Sequence, residues 1–289
     1  DPGMGPAWKV WNTSYAMYLA VLASMIHGFT VPAGIEMGQR LRGFTSGTFE
    51  WLRKAPWGDP GFSGMVFSVI IFGFFGGITG VTIGTEQINI IAHNTMRLPG
   101  HFHATVVGGT ALSFMAVTYY VLPLIFRKRI AFWSLAKVQP YIFAGGITFM
   151  AMSMTFMGIF GVPRRHWDTS FSSGAPFSVD FHPVVNLLQA GLGIGGLIAA
   201  TGVLIFIAIA VVTVFFGKTI AEGDIENKVS GLPSGVLSLP KQVHEGEAMD
   251  RVHSKGAPGT MVLVFIFLAC FVIYYFANWK MLSFLWKIG

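Results

Sequence analysis

Charge is what this chain has least of. Only 11% of its 289 residues are Asp, Glu, Lys or Arg, where a soluble domain carries about a quarter. With 53% hydrophobic residues and a mean hydropathy of +0.62, that scarcity excludes an ordinary water-soluble globule. Cysteine is nearly missing as well. The single Cys270 lies inside an apolar run, so a disulfide framework is excluded and cysteine usage says nothing of the redox compartment. Also missing at the N-terminus is the basic leader and short apolar stretch of a signal peptide. The chain opens DPGMGPAWKV without an initiator methionine, and the expectation is a processed chain or part of a longer polypeptide.

Long apolar runs are what the chain has instead. A membrane helix needs about 20 mainly apolar residues, and six stretches qualify: 14–36, 62–85, 100–126, 138–161, 184–216 and 259–285. The expected fold is all-α, a polytopic membrane helix bundle forming a single membrane domain over 1–289, without a sequence repeat. Glycine doublets inside the runs (Gly76-Gly77, Gly108-Gly109, Gly145-Gly146, Gly195-Gly196) suit close helix packing. The polar stretch 217–258 reads as a cytoplasmic excursion.

The net charge of +6 invites a nucleic-acid reading, but its distribution argues for topology. Three alternate connections, 39–61, 127–137 and 217–255, hold thirteen of the nineteen basic residues. The positive-inside rule puts those loops in the cytoplasm and both termini outside. Membrane lipid is then the expected surrounding, and no nucleic-acid partner is called for.

One stretch is too polar for its setting: HNTMRLPGHFHATVVGG, 93–109. His93 falls in an outer connection, and His101 and His103 in the first turn of the third helix. Residues two apart on an α-helix differ by about 200° around the axis with a rise of about 3 Å. The two imidazoles therefore point to nearly opposite flanks and are badly placed to share one metal ion. They suit two planar cofactors, because neutral imidazole is a common axial ligand of heme iron, with Phe102 as an apolar spacer. The plainer use is hydrogen bonding at the membrane interface. A second clue is GVPRRHWD, where Arg164 and Arg165 stand adjacent on the side poor in basic residues. They either snorkel to lipid phosphate or bind carboxylates, for which guanidinium is well shaped; heme propionates are carboxylates.

With these residues in view, the chain resembles subunit I of the heme-copper oxygen reductases (cytochrome c oxidase type), most closely the B family with one main proton channel. The resemblance rests on DPGMGPAWK, GQRLRG, APWGDPGF, AHNTMRLPGHFHA and VPRRHWD, and the six runs correspond to the last six helices of that subunit. It implies that His101 is the axial ligand of a high-spin heme where oxygen binds. His103 is then one of two axial ligands of a low-spin heme. Arg164, Arg165 and His93 meet heme propionates, Asn94 lies near the proton exit, and Ser24 and His27 line the proton-uptake channel. Relatives commonly carry an acid four positions before the His93 equivalent, where this chain has Asn89; an amide cannot share a proton with a propionate as a carboxylic acid does.

The resemblance also implies what comes from elsewhere. Two copper-binding histidines precede the Asp-Pro-Gly at which this chain starts, and the remaining copper and low-spin heme ligands lie on earlier helices. An N-terminal half, on the same or a separate polypeptide, is therefore an expected partner. Subunit II with an outer-face copper domain is another, and the donor is cytochrome c or a similar protein, or quinol. The expected location is the cytoplasmic membrane of a prokaryote, and the expected activity is reduction of oxygen to water coupled to proton translocation. A degenerate paralogue without oxidase activity, a nitric oxide reductase-like enzyme, a heme-free transporter or structural subunit, and an electron-transferring cytochrome b are the competing readings.

Overall fold

The computed structural model describes residues 3, 5–165, 181–220 and 256–285, and among these every regular element is a helix. Helix α1 runs over 6–41, continuous through a π-helical turn at Trp11–Tyr15. A short α2, Glu50–Arg53, follows. Then come α3, Pro60–Gly84, the short α4, Glu86–Ala92, and α5, Arg97–Phe126. The chain continues with α6, Trp133–Ile159, α7, Val184–Phe216, and α8, Pro258–Leu285. The expected excursion 217–258 falls for the most part outside the described residues.

Five of these helices are long and apolar enough to cross a membrane: α3, α5, α6, α7 and α8. The expected first span, 14–36, lies within α1, several of whose side chains are outside the described residues. In hydrocarbon the backbone has no water to bond, so helices that satisfy their own amides are the spanning form available to such a sequence. Local signals set where they start. Asp59 caps α3 by accepting the Phe62 amide at 2.7 Å, with Pro60 as the first helical residue, a position where the missing N–H costs nothing. Burial pushes the Asp59 carboxyl up, while the bonds from the Phe62 amide and the Tyr120 hydroxyl work against it.

Helix α6 is the centre of the bundle: 61% of its 18-residue apolar stretch is buried, against 6% of the corresponding stretch of α8. It packs on α7 through small residues, and one glycine of each doublet makes the approach. A Cβ on Gly195 would lie 2.6 Å from the Met150 amide nitrogen, whereas one on Gly145 would meet nothing. A second close contact joins two π-helical stretches, Ile71–Gly77 of α3 and His103–Ala111 of α5. There a Cβ on Gly109 would lie 2.7 Å from the Phe72 side chain. Around these contacts Ile71, Ala104, Leu112, Phe143, Ile147 and Ala199 form the main core cluster. Two buried polar side chains next to it are paired, which offsets the cost of placing them in a membrane interior. The Tyr119 hydroxyl donates to Gln139 Oε1 at 3.0 Å, and Gln139 Nε2 donates to the Gly202 carbonyl at 3.1 Å.

At the end of the bundle where α1 stops, a fully buried carboxylate ties the first helix to the last. Glu36 is 0% exposed. It accepts from the Gly259 and Thr260 amides at 3.0 and 2.7 Å, from the Thr260 hydroxyl at 2.8 Å, and from Arg40 Nε at 2.9 Å. An acid from α1 thus caps the N-terminus of α8, where amide donors and the helix dipole favour negative charge. At this end the exits of α5 and α7 are also joined, by Arg129 N–H to the Lys218 carbonyl and Ile220 N–H to the Arg127 carbonyl, both 2.8 Å. Removing the carboxylate takes from the Arg40 cation its only carboxylate among the described residues, leaving it the Gly47 carbonyl at 3.4 Å, and strips two helix-end amides of their acceptor. Glu36→Ala is expected to cost about 3–5 kcal/mol, the usual result of breaking one side of a buried pair. A markedly lower thermal midpoint of the detergent-solubilised protein would show it, and a midpoint unchanged from wild type would refute the latch.

Candidate functional site

The site is built at the opposite end, where α4, the start of α5 and the end of α6 meet. Two chain segments are stitched there by backbone bonds. Met96 N–H donates to the Val162 carbonyl and Arg164 N–H to the Asn94 carbonyl, each at 2.8 Å, and Thr95 bridges Pro163. The stitch needs two residues in the left-handed region, Asn94 and Arg165, both at φ 62°; asparagine tolerates this better than most residues. It brings His93, Asn94, Arg164 and Arg165 into one cluster, with Arg164 Nε donating to Asn94 Oδ1 at 3.3 Å. A shallow cleft of about 500 Å³ lies against it, lined by Ile91, His93, Asn94, Thr95 and Pro163 among others. The rest of the basic-doublet loop, 166–180, lies outside the described residues.

His101 and His103 stand at the junction where α5 changes from α- to π-helical geometry, a widening frequent at functional sites. His101 Nδ1 lies 3.0 Å from the Gly76 carbonyl on α3 and 3.2 Å from Thr79 Oγ1. His103 Nδ1 lies 2.7 Å from the carbonyl of Pro99 on its own helix. A carbonyl can only accept, so in both rings Nδ1 carries the hydrogen. In a neutral imidazole held this way Nε2 keeps its lone pair. A ring nitrogen anchored to a carbonyl while the other is left basic is the arrangement that orients a metal-ligating histidine. Gly80 makes the His101 placement possible, since a Cβ there would lie 2.7 Å from the ring carbon Cε1. Phe102, 43% exposed, stacks on His103 with centroids 4.8 Å apart.

The other residues singled out from the sequence fall as follows. Asn89 is on α4, and its side-chain amide donates to the Ile83 carbonyl at 2.8 Å, closing the end of α3. An acid at this position would need to be protonated to make that bond. His27 is exposed on α1, and the side chain of Ser24 is outside the described residues. Among the described residues no group of three or more His, Cys, Asp and Glu is placed to hold a metal ion. Sequence reasoning missed Arg97, counted only as one of the basic residues. The structure buries it to 1% exposure in the first turn of α5, and its spacing of four from His101 was the available signal.

This is an integral membrane helical bundle in which His101 and His103 each hold Nδ1 on a backbone carbonyl and the start of α5 carries the loop with the arginine doublet; residues of these types fit ligation of porphyrin iron and pairing with its carboxylates. Comparison with known proteins carries the assignment further. The family model described as Cytochrome C and Quinol oxidase polypeptide I matches residues 2–198, and the chain belongs to that family. Cytochrome c oxidase subunit 1 of Thermus thermophilus is 32% identical over 195 residues, covering 66% of this chain and 34% of the relative. The probable quinol oxidase subunit 1 of Staphylococcus aureus is 28% identical over 226 residues, covering 74% of this chain and 32% of the relative. A solved structure titled as a cryo-EM structure of a heme-copper terminal oxidase dimer superposes with a TM-score of 0.67 over 96% of this chain and 46% of that one. At 22% identity that likeness shows the fold. The chain spans about a third of the length of these two relatives.

The stitch makes a local prediction. Asn94→Val, which forces a β-branched residue into the left-handed region, is expected to cost about 1–3 kcal/mol, and Asn94→Gly distinctly less. Thermal unfolding of the two purified variants compares them, and equal midpoints would mean that the backbone conformation at this position is not what holds the loops together.

Proposed function

We propose that this chain is the heme-bearing C-terminal part of subunit I of a terminal respiratory oxidase. The observation that carries the reading is the shared state of the two imidazoles, each holding Nδ1 on a backbone carbonyl and leaving Nε2 basic. His101 would hold the high-spin heme and His103 would supply one ligand of the low-spin heme. When bound, the hemes accept electrons and, with a copper ion held outside this chain, reduce oxygen to water.

The chain's own residues position that chemistry. Gly76 and Thr79 orient the His101 ring, Pro99 orients His103, and Phe102 is the apolar spacer between the two. Arg164, Arg165 and His93 take heme propionates, with Asn94 linking the first of these to the stitched loops. Asn89, committed as a donor to Ile83, neutralises a position where an acid would load protons. Ser24 and His27, three residues apart on α1, belong to the proton-uptake path.

In the membrane we assign six spans to a single domain, with the histidine end and both termini outside and the basic loops in the cytoplasm, as the charge distribution favours. The B type with one main proton channel is supported by the motifs quoted above, and the setting is the cytoplasmic membrane of a prokaryote. The N-terminal half of subunit I supplies the copper ligands. Subunit II, with its outer-face copper domain, and cytochrome c or quinol supply electrons.

Reduced-minus-oxidised and carbon monoxide difference spectra of the complex purified through this chain test the assignment. His101→Ala should abolish the carbon monoxide-binding heme and leave the low-spin signal, and His103→Ala should do the reverse. Retention of both spectra by both variants would remove the ligand assignment. Arg164→Ala should shift the heme potentials more than it lowers heme content, and potentials equal to wild type would count against propionate pairing.

A further inference from the structure

Helices α3 and α6 leave an open groove between them in the half of the bundle nearer the basic connections. It holds about 490 Å³ and is lined by Phe67, Ile71 and Phe75 of α3 and Tyr141, Gly145 and Met152 of α6, among others. Gly145 is the half of its doublet that makes no helix contact: a Cβ there would meet nothing within 4 Å. On α6 the groove follows one face from Tyr141 through Gly145 to Met152, about 16 Å at 1.5 Å rise per residue. The next residues on that face, Thr155 and Ile159, are 2% exposed, so the groove closes there. It therefore runs about half of the roughly 30 Å hydrocarbon thickness. A spanning helix needs the whole thickness to seat, whereas an acyl chain of one leaflet needs half.

The mouth of the groove is aromatic and cationic. The Tyr141 hydroxyl donates to the Trp57 carbonyl at 2.9 Å, and the Phe67 ring centroid lies 6.0 Å from that of Trp57 and 4.9 Å from that of Tyr141. One turn nearer the start of α6, Lys137 continues the same face, its ammonium 5.8 Å from the centre of the Trp133 ring. Lys54 lies three positions before Trp57. Both lysines are exposed, and neither has a carboxylate partner among the described residues. Trp and Tyr sit at headgroup depth in membranes, long lysine stems reach up to it, and cations there attract anionic lipid. An apolar groove of one leaflet's depth under a cationic mouth is complementary to a negatively charged lipid with an extended chain. We infer that this groove binds an anionic phospholipid of the leaflet at the basic-loop end, with its phosphate at Lys137 and Lys54 and one acyl chain laid against Gly145.

The test is lipid retention by the assembled complex purified through this chain. Wild type and variants are delipidated in detergent and incubated with an equimolar mixture of phosphatidylglycerol and phosphatidylcholine, and bound lipid is counted by native mass spectrometry. Gly145→Phe puts a ring into the open groove from a Cβ that touches no other atom. It should assemble and hold one phosphatidylglycerol fewer per copy than wild type. Lys137→Gln removes one charge at the mouth and should weaken phosphatidylglycerol retention about fivefold, the effect of one cation beside an anionic headgroup, with phosphatidylcholine unchanged. Equal phosphatidylglycerol counts in wild type and Gly145→Phe would overturn the inference, as would equal retention of the two lipids by wild type. A photoreactive benzoylphenylalanine at position 145 should cross-link to lipid, and capture of a polypeptide there would show that protein covers the groove and overturn it too. If Gly145→Phe does not assemble, Lys137→Gln, changed at an exposed residue, decides, and phosphatidylglycerol retention equal to wild type then overturns it.

Discussion

A membrane interior offers polar groups no water, so a polar group on a spanning helix is costly unless it finds a partner within the protein. The arrangement of this bundle follows from that constraint. Gln139 sits at 0% exposure because Tyr119 and the Gly202 carbonyl take up its amide. Glu36 is buried because α8 begins against it and supplies two backbone amides and a hydroxyl. The same requirement fixes the chemistry of the site. A histidine in this setting donates to a carbonyl, and once Nδ1 is used in that way Nε2 is left as a base aimed elsewhere.

Helix packing supplies the second half of the geometry. The π-helical stretches of α3 and α5 meet glycine against bulk, which lets Gly76 and Gly80 approach His101 closely enough to hold its ring. At the end of α6, a Cβ on Gly158 would lie 2.7 Å from the Arg97 side chain, so the start of α5 is pressed onto α6 and the loops stitch beside it. The arginine doublet and His93 are cluster members because of those few backbone bonds, although some seventy positions separate them in the chain.

Much of the site was legible in the chain. Length and hydropathy give the helices because bilayer thickness sets a minimum apolar run, and a His-x-His pair has a fixed angular separation on any α-helix. The basic doublet was conspicuous because charge is so scarce around it. Other features had no local signature. Glu36 reads as a charge ending an apolar run, and its partners lie 223 and 224 positions away. Asn89 reads as a missing acid, whereas its role as a donor to Ile83 depends on the break between α3 and α4.

The sequence by itself determined that this is a helical membrane protein, which residues can ligate and which can bind carboxylates, because residue type and short-range period decide those. Tertiary structure alone decided the tautomers of His101 and His103, the left-handed turn at Asn94, and the burial of Arg97. Each depends on which backbone carbonyl, amide or side chain another segment brings within about 3 Å, and helix packing, not local propensity, sets that.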